Sequence, residues 1–176
     1  EDIIWAEASL LNILSVPILR SSDPAQPLGA VNSILLSERA ANRLFGEDDP
    51  VGQTLSVSHT WSTRGQKVDL MVTGVFRNLP SNTHIRPDYI ANILSLKAIT
   101  PQLENQLHTS MGAGDTDFFT QSLFVCQDPA QIPRIQADLQ QRASEIIARF
   151  DPQAKAKPVI LPIREAHFDQ RIDWAT

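Results

Sequence analysis

Three groups of residues carry side chains that can do chemistry, and in each the spacing decides what chemistry is open to it. Gly46 to Thr54, GEDDPVGQT, has the glycines and small polar residues of a phosphate-cradling loop. Such a loop needs four residues between its glycines, a lysine that reaches the phosphates, and a strand leading in. Here five residues intervene, Gln53 stands in the lysine's place, and a helical pattern comes first. Glu47, Asp48 and Asp49 would repel phosphate. They also lack the alternating spacing that lets carboxylates converge on calcium, so they read as an exposed turn. His84 and Asp88 are four apart and would share a helical face toward a metal, but Pro87 breaks the helix that would align them. His84 therefore reads as a hydrogen-bonding turn residue, and His59 and His108 as surface or hairpin residues. His167 with Asp169 is no better supported as a ligand pair.

Nucleophiles fare no better. There is no G-x-S-x-G elbow, and Ser37 sits where a helix wants a cap. Glu165 and Asp169 are a carboxylate pair that nothing singles out. Cys126 is the only cysteine, so no internal disulfide forms; its place in the strand-like run Ser122 to Gln127 predicts a buried, inert thiol. The expectation is no catalytic residue, no metal ligand and no cofactor. Trp61 is the one candidate contact residue for a partner, because it falls in the polar hairpin tip His59 to Gly65, where an aromatic on a solvated loop can meet a second surface; an ordinary packed hairpin residue is the equal alternative. Trp5 and Trp174 lie near the two ends of the sequence and read as core residues, with a membrane-interface role as the alternative.

The elements that hold these residues can be read from periodicity. Ile3 to Trp5 is strand-like. Glu7 to Ser15 is a helical pattern with Leu10, Leu11 and Leu14 on one face, ended by Pro17, and a loop follows over residues 20 to 31. Ile34 to Leu36 is a short apolar strand. Ser37 then caps a helix whose Ala40, Ala41, Leu44 and Phe45 share a face, and Gly46 ends it. Alternation at Leu55 and Val57, and again at Val68, Leu70 and Val72, predicts a hairpin, with a bulge at Gly74 ahead of Val75 and Phe76. Asp88 to Leu96 fits neither period, and Met111 to Asp115 suggests a surface loop. Phe119 to Cys126 is strand-like. Asp128 and Pro129 open a long amphipathic helix with Ile132, Ile135, Leu139, Ala143, Ile146 and Ile147 on its apolar side, and Lys157 to Ile163 is a further strand. A strand, a crossover helix and a strand require a sheet beneath, so the expected class is mixed α/β, that is α+β in layers.

Taken together, an apolar strand, L-S-E, a short helix ending L-F-G, an acidic turn ending D-P-V-G, then Q-T-L and V-T-G-V-F resembles the periplasmic core domain of MacB/FtsX-like ABC-transporter permeases. The segment Ala6 to Leu19 is similar to what precedes the first loop there, and Leu79-Pro80-Ser81-Asn82-Thr83-His84-Ile85-Arg86-Pro87-Asp88 to the L-P-x-N-S-H-x-x-x-D run that follows the hairpin. The resemblance implies a two-lobed domain: a discontinuous strand–helix–strand (porter-like) lobe over residues 1–30 and 118–176, and an inserted, smaller β-rich lobe over 31–117. It implies a loop between membrane helices on the periplasmic side of a bacterial inner membrane. Implied partners are a second permease subunit, a cytoplasmic ATP-binding subunit acting through those helices, and a periplasmic adaptor, peptide or lipoprotein. The function implied is mechanotransmission from ATP hydrolysis, without catalysis in the domain itself.

Bulk properties agree with that reading. An apolar content of 42% suits a globular core. A formal charge of −5, without a basic stripe, argues against nucleic acid as a partner. No run approaches the roughly 20 apolar residues that cross a bilayer. The alternatives from other classes are a free-standing extracytoplasmic binding or sensor domain, and a small α/β hydrolase, which lacks a recognisable nucleophile or metal set.

Overall fold

Ser33–Ser37 is buried along its whole length, and a mixed sheet is assembled on both of its edges. The computed structural model describes residues 3–58, 65–80, 83, 85–98, 122–148, 153 and 158–166. Among the described residues the strands are β1 (Ile3–Ala6), β2 (Ile18–Ser21), β3 (Ser33–Ser37), β4 (Thr54–Ser58), β5 (Lys67–Phe76) and β6 (Tyr89–Asn92). The order across the sheet is β1-β6-β3-β5-β2, with β4 pairing β5 off that path. β3 runs parallel to β5 and antiparallel to β6, β1 runs parallel to β6, and β2 and β4 run antiparallel to β5. The helices α1 (Ser9–Ile13) and α2 (Glu38–Phe45) complete this part of the chain. The fold class is mixed α/β, as expected.

Each face of the sheet has its own apolar cluster, because the pleat sends alternate side chains to opposite sides. Ile34, Leu36, Val68, Leu70, Val72, Val75, Tyr89 and Ala91 pack with Ala40 and Ala41 of α2, while Leu35, Phe76, Ile90 and Ala6 pack with Leu11 of α1, Val16 and Leu28. In β5 the alternation of Val68, Leu70 and Val72 would carry an even count onward, yet Val75 lies on the same side as Val72. The register explains it. Ile34 faces Val72 and Leu35 faces Gly74, so Thr73 is an extra residue that shifts the phase by one. The freed Thr73 carbonyl accepts from the Ser22 backbone N–H at 3.0 Å and the Ser21 hydroxyl at 3.0 Å. The Thr73 hydroxyl donates to the Pro27 carbonyl at 2.6 Å. Gly74 is required by proximity: a Cβ there would stand 2.6 Å from the Arg20 carbonyl oxygen.

The capped helix follows the sequence closely. Ser37 Oγ accepts from the Ala40 backbone N–H at 3.1 Å, and Gly46 closes α2 at φ +61°. Leu44, expected on the buried face, is 45% exposed; the eight-residue helix covers the sheet only with Ala40, Ala41 and, in part, Phe45. Asp88 to Leu96, which fits neither period, is a strand followed by a 3₁₀ helix over Ile93–Ala98.

β1 and β2 pair with β6 and β5, so the strands before and after residue 31 belong to one sheet. By compactness the described residues to Ala98, with 122 and 123, form one unit, and those from Phe124 onward a second. In the second unit Asp128 caps a 3₁₀ turn, Pro129–Gln131, that leads into α3 (Ile132–Ile147); α4 (Ile163–Ala166) lies further along. The strands expected at 119–126 and 157–163 are absent among the described residues: 122–126 and 158–162 carry no ladder. What holds 158–160 is a side chain, because the Gln136 amide donates to the Pro158 carbonyl and accepts from the Ile160 N–H at 3.0 Å. Cys126, expected buried in a strand, is half-exposed, with its Sγ 3.1 Å from the Asp128 carbonyl.

Candidate functional site

The polar side chains that converge in the first unit do so where β3 ends and β6 begins. These strands are antiparallel, so the last residue of β3, Ser37, lies beside Asp88, the residue ahead of β6. The Ser37 N–H donates to the Asp88 carbonyl at 2.9 Å, and its hydroxyl donates to Asp88 Oδ1 at 3.3 Å. Arg39 and Arg43 are four apart on α2 and so turn to the same side. Arg39 donates to Asp88 Oδ1 from Nε at 2.9 Å and from Nη2 at 2.5 Å; Arg43 Nη2 lies 3.5 Å from Oδ2 and donates to the Tyr89 hydroxyl at 3.1 Å. Asp88 is buried, which pushes its carboxyl upward. The Arg39 hydrogen bonds and charge, the Arg43 charge and the Ser37 hydroxyl outweigh that and hold it below its ordinary value of 3.8.

Next to this node is a cleft of about 120 Å³ lined by Ser37, Arg39, Asn78, Leu79, Arg86 and Pro87. Asn78 lies two residues after the end of β5 and ties the strand end to the helix start. Its Oδ1 accepts from the Arg39 N–H at 3.1 Å, and its own N–H donates to Glu38 Oε2 at 3.2 Å. Two of the free N–H groups that begin α2, those of Arg39 and Ala40, are satisfied by the Asn78 and Ser37 side chains. The arrangement is a fastening of helix to sheet with two arginines turned to solvent beside it.

Asp88 is thus an arginine partner, and His84 lies outside the described residues. Trp61, His59, His108, His167, Asp169 and Trp174 also lie outside them. Trp5 packs partly buried against the α2 face of the sheet. Glu47, Asp48 and Asp49 are exposed, with Asp49 Oδ1 accepting from the Val51 N–H at 3.2 Å and lying 3.5 Å from Arg20 Nη1. Among the described residues no group of three or more His, Cys, Asp and Glu is placed to hold a metal, and no helix is long and apolar enough to cross a membrane. Sequence reasoning missed Arg39, Arg43 and Arg86. The signal present was the i, i+4 arginine pair on a helix only eight residues long, which needs a counter-charge if it is to sit against a sheet.

No family model matches the sequence, and no curated protein does. Solved structures do. A domain of a protein assigned as a permease from Porphyromonas gingivalis is similar at a TM-score of 0.50 and 19% identity, over 80% of this chain and 53% of that one. The periplasmic region of MacB from Actinobacillus actinomycetemcomitans aligns at 0.46 and 9% identity over 82% of this chain and 56% of that one. The extracellular domain of the noncanonic ABC-type transporter YknZ from Gram-positive bacteria aligns at 0.47 and 14% over 90% and 69%. The chain spans about half the length of the first two structures. The likeness is one of fold, carried by the Porphyromonas domain.

Proposed function

We propose that this chain is the extracytoplasmic domain of an ABC-transporter permease of the MacB/FtsX-like type. In this reading it stands on the periplasmic side of the inner membrane and passes motion from a cytoplasmic ATPase, through membrane helices, to an exported substrate or a periplasmic partner. The observation that carries the reading is the fold shared with the Porphyromonas permease domain over 80% of the chain. The run from L-S-E through D-P-V-G to V-T-G-V-F supports it independently. The polar node suits such a part, since it fastens α2 to the sheet.

The test uses the parent protein in intact spheroplasts and a membrane-impermeant maleimide, with modification mapped to Cys126. Labelling without lysis, on protein retained in the membrane fraction, is expected; labelling only after lysis overturns the location. A parent lacking these residues should hydrolyse ATP and fail to export. Unimpaired export by that variant overturns the coupling role.

A further inference from the structure

The strand β4 borders β5 on one side, and the phase of the ladder says which of its backbone groups face outward. The Val72 N–H donates to the Gln53 carbonyl and the Val72 carbonyl accepts from the Gly52 N–H, each at 2.8 Å, whereas the Met71 N–H donates to the Asn32 carbonyl on the β3 side at 2.7 Å. Val72, Leu70 and Val68 therefore turn their backbone groups toward β4, and Leu55 and Val57, which stand opposite Leu70 and Val68, turn theirs back. The N–H and C=O groups of Thr54, Ser56 and Ser58 must then point away from β5. Their side chains are exposed, and among the described residues no strand pairs with β4 on that side.

Exposed edges are ordinarily blunted by a charge, a proline or a bulge. β2, which borders the same side of β5, has Arg20 and a register shift. β4 has neither: its five residues are uncharged, and its register with β5 runs unbroken. The edge is also complementary to itself. An antiparallel copy centred on Ser56 sets Ser56 against the partner's Ser56, Thr54 against the partner's Ser58, and Leu55 against the partner's Val57. Each outward N–H then meets an outward C=O, and the Leu55 and Val57 pairs fall at the closer spacing between them. Those two side chains already lie half-buried beside Val68 and Leu70, so the apolar face becomes continuous through both copies. Ser56 Oγ donates to Asp69 Oδ1 at 2.7 Å, away from the axis. The chain carries a net charge of −5, yet Asp69 and its copy would be three strand spacings, about 14 Å, apart, beyond a screening length of about 8 Å.

We propose that β4 is a self-association edge, on which a second copy of this chain lays its own β4 antiparallel about a two-fold axis through Ser56. Such a contact uses the same surface on both copies and closes at two. Five residues a side is well short of the roughly 20–30 of a standard interface, so the pairing is weak and concentration-dependent. It rests on the β4–β5 ladder and not on the permease reading, so the isolated 176-residue chain tests it whatever becomes of that reading.

The experiment is oxidative cross-linking in a Cys126→Ser background, with protein from about 20 μM to about 1 mM. In the proposed register the two Ser56 Cα atoms stand about 5.5 Å apart, within disulfide reach, while the two Thr54 Cα atoms are about 14 Å apart. Ser56→Cys is expected to form the disulfide dimer about tenfold faster than Thr54→Cys, since only the first is held in reacting geometry. Exchange at the Ser56 amide of the native chain should slow as concentration rises. In Ser56→Lys, which sets like charges opposite each other across the axis, it should not. Position 56 is exposed, so both Ser56 variants should keep the native amide spectrum, which is the control for folding. Equal cross-linking by the two cysteines, or Ser56 exchange that ignores concentration, would each overturn the proposal.

Discussion

Arg39 donates from both Nε and Nη2 to one oxygen of Asp88, Oδ1, and so ties the first turn of α2 to the residue that precedes β6. The acid is buried and the arginine is 61% exposed, so the pair combines one costly desolvated charge with one that water still screens. Removing the acid should matter more than removing the base. Asp88→Asn is expected to lower unfolding free energy by about 1–3 kcal/mol. Arg39→Gln should cost about 1 kcal/mol or less, because Arg43 remains near Oδ2 and solvent screening weakens the exposed partner. Urea denaturation of the two single variants and the double variant measures both, with coupling of about 0.5 kcal/mol or more expected between them.

The same carboxylate sets a pH dependence. Its folded pKa lies below its unfolded one, so the stability it contributes is complete above the ordinary value of 3.8 and is lost as pH falls through the lower folded value. Unfolding free energy of the native chain should therefore decline below about pH 5. The gap between native and Asp88→Asn should narrow over the same range. A gap that is constant from neutral pH down through the acid limb contradicts the assignment.

Two glycines should respond differently to alanine. Gly74→Ala forces a methyl group against the Arg20 carbonyl, a backbone atom that moves only with β2, and a cost of about 1–3 kcal/mol is expected. Hydrogen exchange at the Ser22 amide, bonded to the Thr73 carbonyl, should accelerate with it. Gly46 has open space around it but a positive φ with ψ −117°, outside the left-handed helical well, so Gly46→Ala and Gly46→Asn should both cost about 1 kcal/mol or more.

In the second unit, Gln136→Ala removes both side-chain bonds to the 158–160 backbone. Faster exchange at the Ile160 amide is expected, with α3 otherwise intact by circular dichroism. Cys126 should react with a maleimide in the native chain without denaturant, as its partial exposure requires.

What was legible in the sequence is what is decided within a few residues. Ser37 announces its cap, Gly46 its helix end, and Leu55 with Val57 against Val68 with Leu70 their hairpin, because each signal and its effect are neighbours along the chain. The bulge was placed within one residue, at Gly74 for Thr73, since a glycine in a strand marks close approach as well as the extra residue itself. The pairing of β1 with β6 and of β2 with β5 was not legible. Ile3 carries no mark that says Tyr89. Val159 and Ile160 have strand-like side chains, yet a glutamine on a helix took the bonds a strand would have supplied. Asp88 was noticed for the wrong neighbour. Its spacing from His84 is local, whereas its closeness to Arg39 exists only after β3 and β6 align.

The parallel pairing of Ile3 with Tyr89 also fixes an order of events during synthesis. β1 precedes β6 in the sequence and has no sheet neighbour until β6 emerges, while β6 has β3 on its other edge. Until then Ile3 and Ile4 belong to an apolar stretch whose ladder has not formed, the kind of segment that nascent-chain chaperones shield. Ribosome-bound chains truncated before residue 89 should accordingly be the species most prone to aggregate.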